Sequence, residues 1–481
     1  MAKQTRSSPA ASKKKTGSRR KPAAAREPFA NYQAAVRYLM AAADVERMRA
    51  SRVDPSVFTL DRMRALMKAL GNPENELRAV HVAGTNGKGS VVAMAASCLR
   101  ECGYTVGEYT SPHLTDLRER IRINDAPIPH AIFSEQLHRV ARAADSLPKR
   151  LGQPTYFELM TAVMFLHLAE QAVDVAIIEV GLGGRLDATN VLSPEITAVT
   201  RIDLDHRQFL GDSHDAIARE KAGVFKPDVP ALTIEQEKTA AAALREVAED
   251  VGAPFEVVGD EIEFSYRFES SPQLGPHTRV GLSTDRNVFE HVPVPLPGEH
   301  QALNCGLALA ILDKLSGRGF ELPEAEVIEG LARTRVPGRM EMAWREPRIL
   351  LDGAHNPAAL AALVRSIGAH VPYDSMVMVF GCSADKDWKE MLARIGAGAD
   401  KVIFTRAKNN PRAADPDDLA AAFQEDSSKM CQVAPALDEA LSIAVRAAGR
   451  DDLIVVTGSF FLVGEAKKHL ASRAERHTAR A

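Results

Sequence analysis

The sequence predicts an α/β protein of two domains, each built on a mainly parallel sheet with helices between its strands. Short apolar runs of strand length alternate with segments of helical period along most of the 481 residues. That length exceeds the roughly 250–300 residues at which a single hydrophobic core stops growing. The alternation resumes after a Pro-Gly segment rich in cations at 333–339, which is typical of a domain boundary.

The composition excludes several classes of protein. Hydrophobic residues make up 45% of the chain and charged residues 26%, with a net charge of −3, as in ordinary globular proteins. The five cysteines form no Cys-x-x-Cys pair, so neither a disulfide framework nor a zinc site is predicted. No apolar run approaches the roughly 18–20 residues that span a bilayer, and no signal-peptide core follows the basic start. We therefore expect a cytoplasmic protein without a membrane partner. We also expect a monomer.

The first segment, residues 1–28, is predicted to be a disordered basic tail. It holds nine Lys or Arg against one acid, Glu27, and too few apolar residues to form a core. Nucleic-acid binding and an organelle transit peptide are the alternatives to a solvated extension. The tail lacks aromatic residues and the rest of the chain is not basic, which argues against a nucleic-acid partner.

A glycine-rich segment at 84–90 carries the strongest chemical signal. It lies between a strand-like run at 78–83 and a helical pattern, where free backbone N–H groups and the positive helix end can hold phosphate. Lys88 supplies a positive charge, but the usual hydroxyl after the lysine is replaced by Gly89. An ordinary tight turn is the alternative. The candidate phosphate-binding residues are Gly84, Thr85, Asn86, Gly87, Lys88, Gly89 and Ser90.

The next strands bring a candidate metal ligand. A second strand is predicted at 104–109, followed by a long loop at 110–129, helices at 131–144 and 156–171, and a buried strand at 173–180. That last strand ends in Glu179. A carboxylate there is where a nucleotide-binding sheet holds Mg²⁺, although it could simply cap the turn that follows.

A further strand at 196–200 precedes a cluster of acid and imidazole, Asp203-Leu-Asp-His206. Its context favours a ligand role for His206 over a structural one. Lys221 lies near the end of a helix at 216–222, where a surface lysine is the ordinary explanation. An antiparallel excursion is predicted at 261–291, and an apolar helix at 299–315.

Beyond the boundary, apolar runs at 349–351, 376–380, 402–405 and 453–457 alternate with helical patterns and predict a second parallel sheet. Asp352 and His355 follow the first run, just before a helix that Pro357 would open. Such a strand end can hold ribose or phosphate, and a simple turn is the alternative. The predicted fold is a large P-loop nucleotide-binding domain at 29–336 and a smaller, Rossmann-like α/β domain at 337–481.

In these motifs the sequence resembles folylpolyglutamate synthase and the bifunctional dihydrofolate synthase, members of the Mur ligase superfamily. The resemblance covers nearly everything outside the tail. The shared segments are Gly84-Thr-Asn-Gly-Lys-Gly-Ser90, Thr110-Ser-Pro-His-Leu114, Glu179-Val-Gly-Leu-Gly-Gly-Arg-Leu-Asp-Ala-Thr-Asn190, Asp205-His206, Leu210-Gly211, Glu220-Lys-Ala-Gly223, Pro337-Gly-Arg339 and Asp352-Gly-Ala-His-Asn-Pro357.

The resemblance implies roles for individual residues. One Mg²⁺ would be held by Ser111 and Glu179, and a second by His206, supported by a carbamylated Lys221. The nucleotide would be contacted by Asn304 at the adenine, by Arg339 at the phosphates, and by Asp352 and His355 from the second domain. The pterin pocket would include Thr155, Phe157 and Leu186. The implied catalytic residues are Lys88, Lys221, His206 and Arg339.

The resemblance also implies a reaction: ATP-driven amide formation between L-glutamate and the carboxylate of dihydropteroate, the γ-carboxylate of a reduced folate, or both, through an acyl phosphate. A cell-wall ligase of the same superfamily is one alternative. A non-ligase ATP-binding protein that uses the basic tail for nucleic acid is another. The order Lys88-Gly89-Ser90 and the 110–114 loop favour the folate substrates over the cell-wall ones.

Overall fold

A computed structural model describes residues 28–44, 48, 58–271 and 274–478, with the backbone alone for 476–478. Residues 1–27 of the predicted basic tail lie outside the described residues. In the described part no helix is long and apolar enough to cross a membrane.

The first domain is built on an eight-stranded sheet. Its strands are β1 (Ala79–Ala83), β2 (Val106–Tyr109), β3 (Ile121–Ile123), β4 (Ala126–Pro127), β5 (Val175–Glu179), β6 (Ile196–Val199), β7 (Ala231–Ile234) and β8 (Phe255–Val258). Their spatial order is β4-β3-β2-β5-β1-β6-β7-β8, in which β3 pairs antiparallel with both β2 and β4, and the other six strands pair parallel with one another. The first strand in the chain is therefore central in the sheet.

Helices cover both faces of this sheet. They are α1 (Tyr32–Met40), α2 (Leu60–Leu70), α3 (Lys88–Glu101), α4 (His130–Ser146), α5 (Tyr156–Glu170), α6 (Arg207–Leu210), α7 (His214–Ala222), α8 (Lys238–Val251), α9 (Glu299–Ser316) and α10 (Glu324–Arg333). Short 3₁₀ turns lie at Pro73–Glu76, Leu117–Arg120, Lys149–Leu151 and Ala188–Val191. Every residue of β1 and β5 is buried. This explains why their sequences read as unbroken apolar runs.

The predicted long loop at 110–129 is wrong in part. It contains a 3₁₀ turn and the two short strands β3 and β4, which extend the sheet beyond β2. Asp116 and Glu119 form a capping box at the turn. Arg122 on β3 donates to the buried carboxylate of Glu108 on β2 at 2.8 Å, which ties the strands together. Strands of two or three residues are too short to leave a periodic signal.

The predicted antiparallel excursion is confirmed. Strands β9 (Glu263–Ser271), β10 (Gly275–Ser283) and β11 (Val288–Pro293) form a separate three-stranded sheet in the order β11-β10-β9. Helix α9 packs against both β10 and the main sheet, so its burial on all sides matches its continuous apolar sequence.

The second domain carries a six-stranded sheet. Its strands are β12 (Glu341–Arg345), β13 (Arg348–Leu351), β14 (Met376–Phe380), β15 (Lys401–Phe404), β16 (Met430–Val433) and β17 (Leu453–Thr457), in the order β12-β13-β17-β14-β15-β16. The four predicted strands are confirmed, and the edge strands β12 and β16 were missed because they are half-exposed and not strongly apolar. Its helices are α11 (Pro357–His370), α12 (Trp388–Gly398), α13 (Pro416–Asp426), α14 (Leu437–Ala447) and α15 (Phe460–Thr478).

The link between the sheets is short. Helix α10 ends at Arg333 and β12 begins at Glu341. We propose 29–336 and 337–481 as the limits of the two domains.

The packing of α10 on α3 offers a test of the fold. A Cβ at Gly330 on α10 would lie 2.4 Å from the Cα of Cys98 on α3. Because backbone cannot move aside cheaply, Gly330→Ala should lower the free energy of unfolding by about 3 kcal/mol. Gly368→Ala is the matched control, since it lies on α11 with no atom within 4 Å of the added methyl. It should stabilise by about 0.5 kcal/mol through helix propensity. Urea unfolding of both variants measures the difference, and equal midpoints would contradict the packing.

Candidate active site

Four parallel strands end side by side at one edge of the larger sheet. β1 lies between β5 and β6, and β2 lies on the far side of β5. The segments that follow these strands therefore meet at the same edge, which is where α/β sheets bind ligands. They carry Gly84, Ser111, the strand-end Glu179 and His206. This order of strands brings together residues more than 100 positions apart.

The glycine-rich segment forms the turn from β1 into α3. Gly87 is the N-cap of α3 with φ +100°, and a Cβ there would lie 2.4 Å from the Asn304 side-chain oxygen. Gly84 has φ +143° and approaches Thr200 so closely that a Cβ would overlap its hydroxyl. Only glycine fits these positions, so the loop keeps its N–H groups at the start of a helix, where phosphate binds well.

Lys88 is the first residue of α3 and reaches back over the loop. Its Nζ donates to the carbonyls of Gly84 at 3.1 Å and Thr85 at 3.3 Å, and lies 3.8 Å from Glu179 Oε1. The Glu179 side chain is 5% exposed, and burial raises its pKa above the ordinary value although the charge of Lys88 opposes this. A buried carboxylate and an ammonium group thus lie beside the glycine-rich segment at 84–90, which we call the phosphate loop after its predicted role.

The site fits a magnesium ion bound to a triphosphate. The backbone N–H of Ser111 donates to Glu179 Oε2 at 3.1 Å, so the serine and the carboxylate are neighbours. The same Oε2 would lie 3.5 Å from a Cβ at Gly89, which puts a carboxylate next to the position that lacks the usual hydroxyl. Mg²⁺ typically takes one or two protein oxygens and completes its shell with phosphates and water. Within the described ranges no group of three or more His, Cys, Asp or Glu side chains forms a metal cluster.

Lys221 is buried, and the expectation of a surface lysine is wrong. It lies in the last turn of α7, and its Nζ donates to the carbonyl of Gly84 at 2.8 Å. Burial and then the charge of Lys88 lower the pKa of Lys221 to about 7. Near pH 7 a substantial fraction of the amine is therefore neutral, and the neutral amine is the form that can react with carbon dioxide.

His206 precedes the short helix α6 with φ +50°. Burial and then the charge of Lys386 lower its pKa to about 3, so the imidazole is neutral and can act as a metal ligand. Asp205, beside it, is buried. Burial opposes ionisation there, but the adjacent His206 imidazole and then the charge of Lys386 hold the pKa of Asp205 well below its usual range.

The second domain contributes a cluster around Phe460, the first residue of α15. The Arg339 guanidinium lies 4.8 Å from the centre of the Phe460 ring, and the His355 ring lies 5.5 Å away. Asp352 stabilises the interdomain link, because its carboxylate accepts from the backbone N–H groups of Met340 and Ala354, both at 2.8 Å. The backbone that carries Arg339 is therefore held in place, and the Arg339 side chain lines the cavity between the domains.

The two domains contact each other at the phosphate loop. Lys386 forms an ion pair with Asp205, and His355 Nε2 lies 3.6 Å from the same carboxylate. Asn356 donates to Asn86 at 3.0 Å and to Asp205 at 3.3 Å. The Asp205 carboxylate thus lies next to three side chains of the second domain. These contacts hold that domain over the strand ends of the larger sheet.

A cavity of about 240 Å³, which we call the central cleft, lies between the domains, and we call the part of it lined by Thr155, Phe157 and Leu186 the side pocket. Fourteen predicted site residues line it: Gly84, Thr85, Gly87, Lys88, Gly89, Ser111, Thr155, Phe157, Glu179, Leu186, His206, Lys221, Arg339 and His355. Four do not: Asn86, Ser90, Asn304 and Asp352. Of these, Asn304 packs against Gly87, and Asp352 accepts from the backbone of the interdomain link. Thr155 has a structural role as well, since it caps α5 in a capping box with Glu158.

The sequence reasoning missed several lining residues. Asp187 follows the glycine-rich segment after β5, and Ser459 and Phe460 follow β17, so a search of all strand ends could have found them. Lys386 and Arg412 carried no local signal. They lie in loops of the second domain and reach the cleft only because the domains pack together.

Comparisons with known proteins agree with this geometry. Residues 82–312 match the family model described as the Mur ligase middle domain, and residues 338–460 match the Mur ligase glutamate ligase domain. The dihydrofolate synthase/folylpolyglutamate synthase of Bacillus subtilis is 34% identical over 414 residues, which cover 85% of this chain and 94% of that protein.

Solved structures agree as well. The Mycobacterium tuberculosis folylpolyglutamate synthase complexed with ADP and AMPPCP has a TM-score of 0.80 and 32% identity, covering 86% of this chain and 95% of that one. The Escherichia coli FolC in complex with DHPP and ADP has a TM-score of 0.80 and 29% identity, covering 93% and 100%. The chain therefore belongs to the folylpolyglutamate synthase and dihydrofolate synthase family of the Mur ligases.

Proposed function

We propose that the protein is an ATP-dependent ligase that joins L-glutamate to the carboxylate of dihydropteroate, to the γ-carboxylate of a reduced folate, or to both. The observation that carries this proposal is the single cleft. It joins the phosphate loop and the side pocket lined by Thr155, Phe157 and Leu186 to Arg339 and His355 of the second domain. We also propose that the enzyme is a monomer and acts in the cytoplasm.

The reaction has two bond-making steps. The substrate carboxylate attacks the γ-phosphorus of ATP, which forms an acyl phosphate and releases ADP. The amine of glutamate then attacks the acyl carbon, loses a proton, and expels inorganic phosphate to leave the amide. No side-chain nucleophile is needed, so positioning and charge stabilisation supply most of the acceleration.

The charges in the cleft suit the first step. Lys88 and Arg339 are placed to neutralise the negative charge shared among the phosphate oxygens. Two Mg²⁺ ions, held by Ser111 and Glu179 and by His206, would polarise the transferring phosphoryl group when bound. We propose a carbamate on Lys221, which would turn a buried amine into an anion and help to hold the second ion.

Domain contact excludes water from the acyl phosphate. The ion pair of Lys386 with Asp205 and the bond from Asn356 to Asn86 close the second domain at the phosphate loop. Because an acyl phosphate is readily hydrolysed, a closed cleft protects it until the amine arrives.

A product assay tests the proposal. Purified protein is supplied with ATP, Mg²⁺ and glutamate together with dihydropteroate or tetrahydrofolate, and the products are weighed by mass spectrometry. We expect the mass to increase by one glutamate residue per turnover with at least one acceptor. A nucleotide-linked muramyl peptide is the control acceptor and should not react. Turnover of the control alone would favour the cell-wall alternative, which the relatives do not support. ATP hydrolysis without any product would contradict a ligase.

A further inference from the structure

A second cavity opens beside the central cleft, next to the side pocket. It shares Thr59 and Leu186 with that cleft, so the two cavities meet at these residues. Arg64, Arg185 and Lys226 also line it. We call these five residues the cationic groove. Nothing in the proposed chemistry uses its three charges.

The three cations come from separate parts of the fold. Arg64 lies on α2, Arg185 in the segment after β5, and Lys226 just after α7. Among the described residues that line this cavity, Asp61 is the one acid, so this part of the lining carries an excess of positive charge. The pair of Arg64 with Asp61 is long, at 3.7 Å, and both side chains are mostly exposed.

The other two cations are also incompletely neutralised. Arg185 donates to Glu220 at 2.8 Å, but its side chain remains 56% exposed. The Lys226 Nζ donates to the neutral amide oxygen of Asn190 at 2.6 Å. Burial and then the charge of Arg64 lower the pKa of Lys226 to about 8, so these two cations repel each other. Like charges held together in a cavity are typical of an anion site.

We infer that the cationic groove binds the γ-linked polyglutamate segment of the substrate while the pterin and the reacting carboxylate occupy the central cleft. This inference rests on the proposed function. The fold sets the distance from the side pocket to the phosphate loop, whereas each added glutamate lengthens the substrate. The intervening residues must therefore leave the cleft. An exit past Thr59 and Leu186 brings their free α-carboxylates to three cations.

Charge removal at the exposed positions tests the inference. The double variant Arg64→Gln/Arg185→Gln removes two charges and keeps Lys226, because its bond to Asn190 supports the segment after β5. Arg394→Gln on α12 is the matched control, an arginine 49% exposed and outside the residues that line the groove. The substrates are tetrahydrofolate monoglutamate and tetrahydrofolate pentaglutamate.

We expect the double variant to raise the KM for the pentaglutamate by about three- to tenfold, as loss of two screened ionic contacts predicts. The KM for the monoglutamate should change less than about twofold, and the control should match the unmodified enzyme with both substrates. Added salt should weaken pentaglutamate binding in the unmodified enzyme more than in the double variant. Equal changes for both substrate lengths would overturn the inference.

Calorimetric binding separates this inference from the proposed function. The two tetrahydrofolates are titrated into the full-length protein with Mg²⁺ and AMPPCP, so that no turnover is needed. Weaker pentaglutamate binding in the double variant without any ligation in the assay above would overturn only the ligase proposal. Normal ligation with identical pentaglutamate affinity in both proteins would overturn only the groove.

Discussion

Replacing Lys88 by Met is expected to lower kcat by about 10²- to 10³-fold, the size of effect seen when one charge-stabilising group is removed from a transition state. Lys88 Nζ lies over the phosphate loop and 3.8 Å from Glu179. Its charge matters most in the transition state, when the phosphoryl group lies between the oxygen of ADP and the oxygen of the substrate carboxylate. The loss should therefore fall on kcat more than on nucleotide affinity. Single-turnover kinetics and calorimetric titration with AMPPCP measure the two quantities.

Two controls accompany the Lys88 variant. Lys88→Arg keeps the charge and should recover part of the rate. Lys238→Met removes an exposed lysine at the start of α8 and should be neutral. Turnover of Lys88→Met within twofold of the unmodified enzyme, with an unchanged unfolding curve, would remove Lys88 from the catalytic residues.

Replacing Lys221 by Ala should lower kcat by about 10²-fold or more if a carbamate at this position supports the second metal ion. The lysine is buried and its Nζ donates a hydrogen bond to the carbonyl of Gly84, so no surface side chain can take its place in the variant. Removal of bicarbonate should inactivate the unmodified enzyme and its return should restore activity, whereas the variant should respond to neither. Wild-type-like turnover of Lys221→Ala would end the carbamate proposal.

The carbamate also has a spectroscopic test. Protein equilibrated with ¹³C-bicarbonate should show a carbamate carbon signal that Lys221→Ala lacks and Lys238→Ala retains. The signal should weaken as the pH falls below about 7, because the pKa of Lys221 is lowered to about 7 and only the neutral amine forms a carbamate. A signal of equal strength in all three proteins would assign the adduct to another amine.

Local sequence signals predicted much of the fold. The glycines at 84 and 87, the apolar run before Glu179 and the periodic helices are patterns of adjacent residues, and the structure confirms the strands and helices they predict. The predicted loop at 110–129 failed because its strands are too short to leave a pattern. The edge strands β12 and β16 were missed because exposure on one side removes the apolar signal.

The amino-acid order thus specified a glycine-rich turn into a helix, a strand-end carboxylate and two mainly parallel sheets, since each depends on backbone preferences and burial within a few consecutive residues. Tertiary packing decided what these parts face. It buried Lys221 against Gly84, brought Lys386 to Asp205 across 181 positions, and gathered the cations of the groove from three elements. Such contacts depend on strand order and domain docking, which bring together residues that leave no joint pattern along the chain.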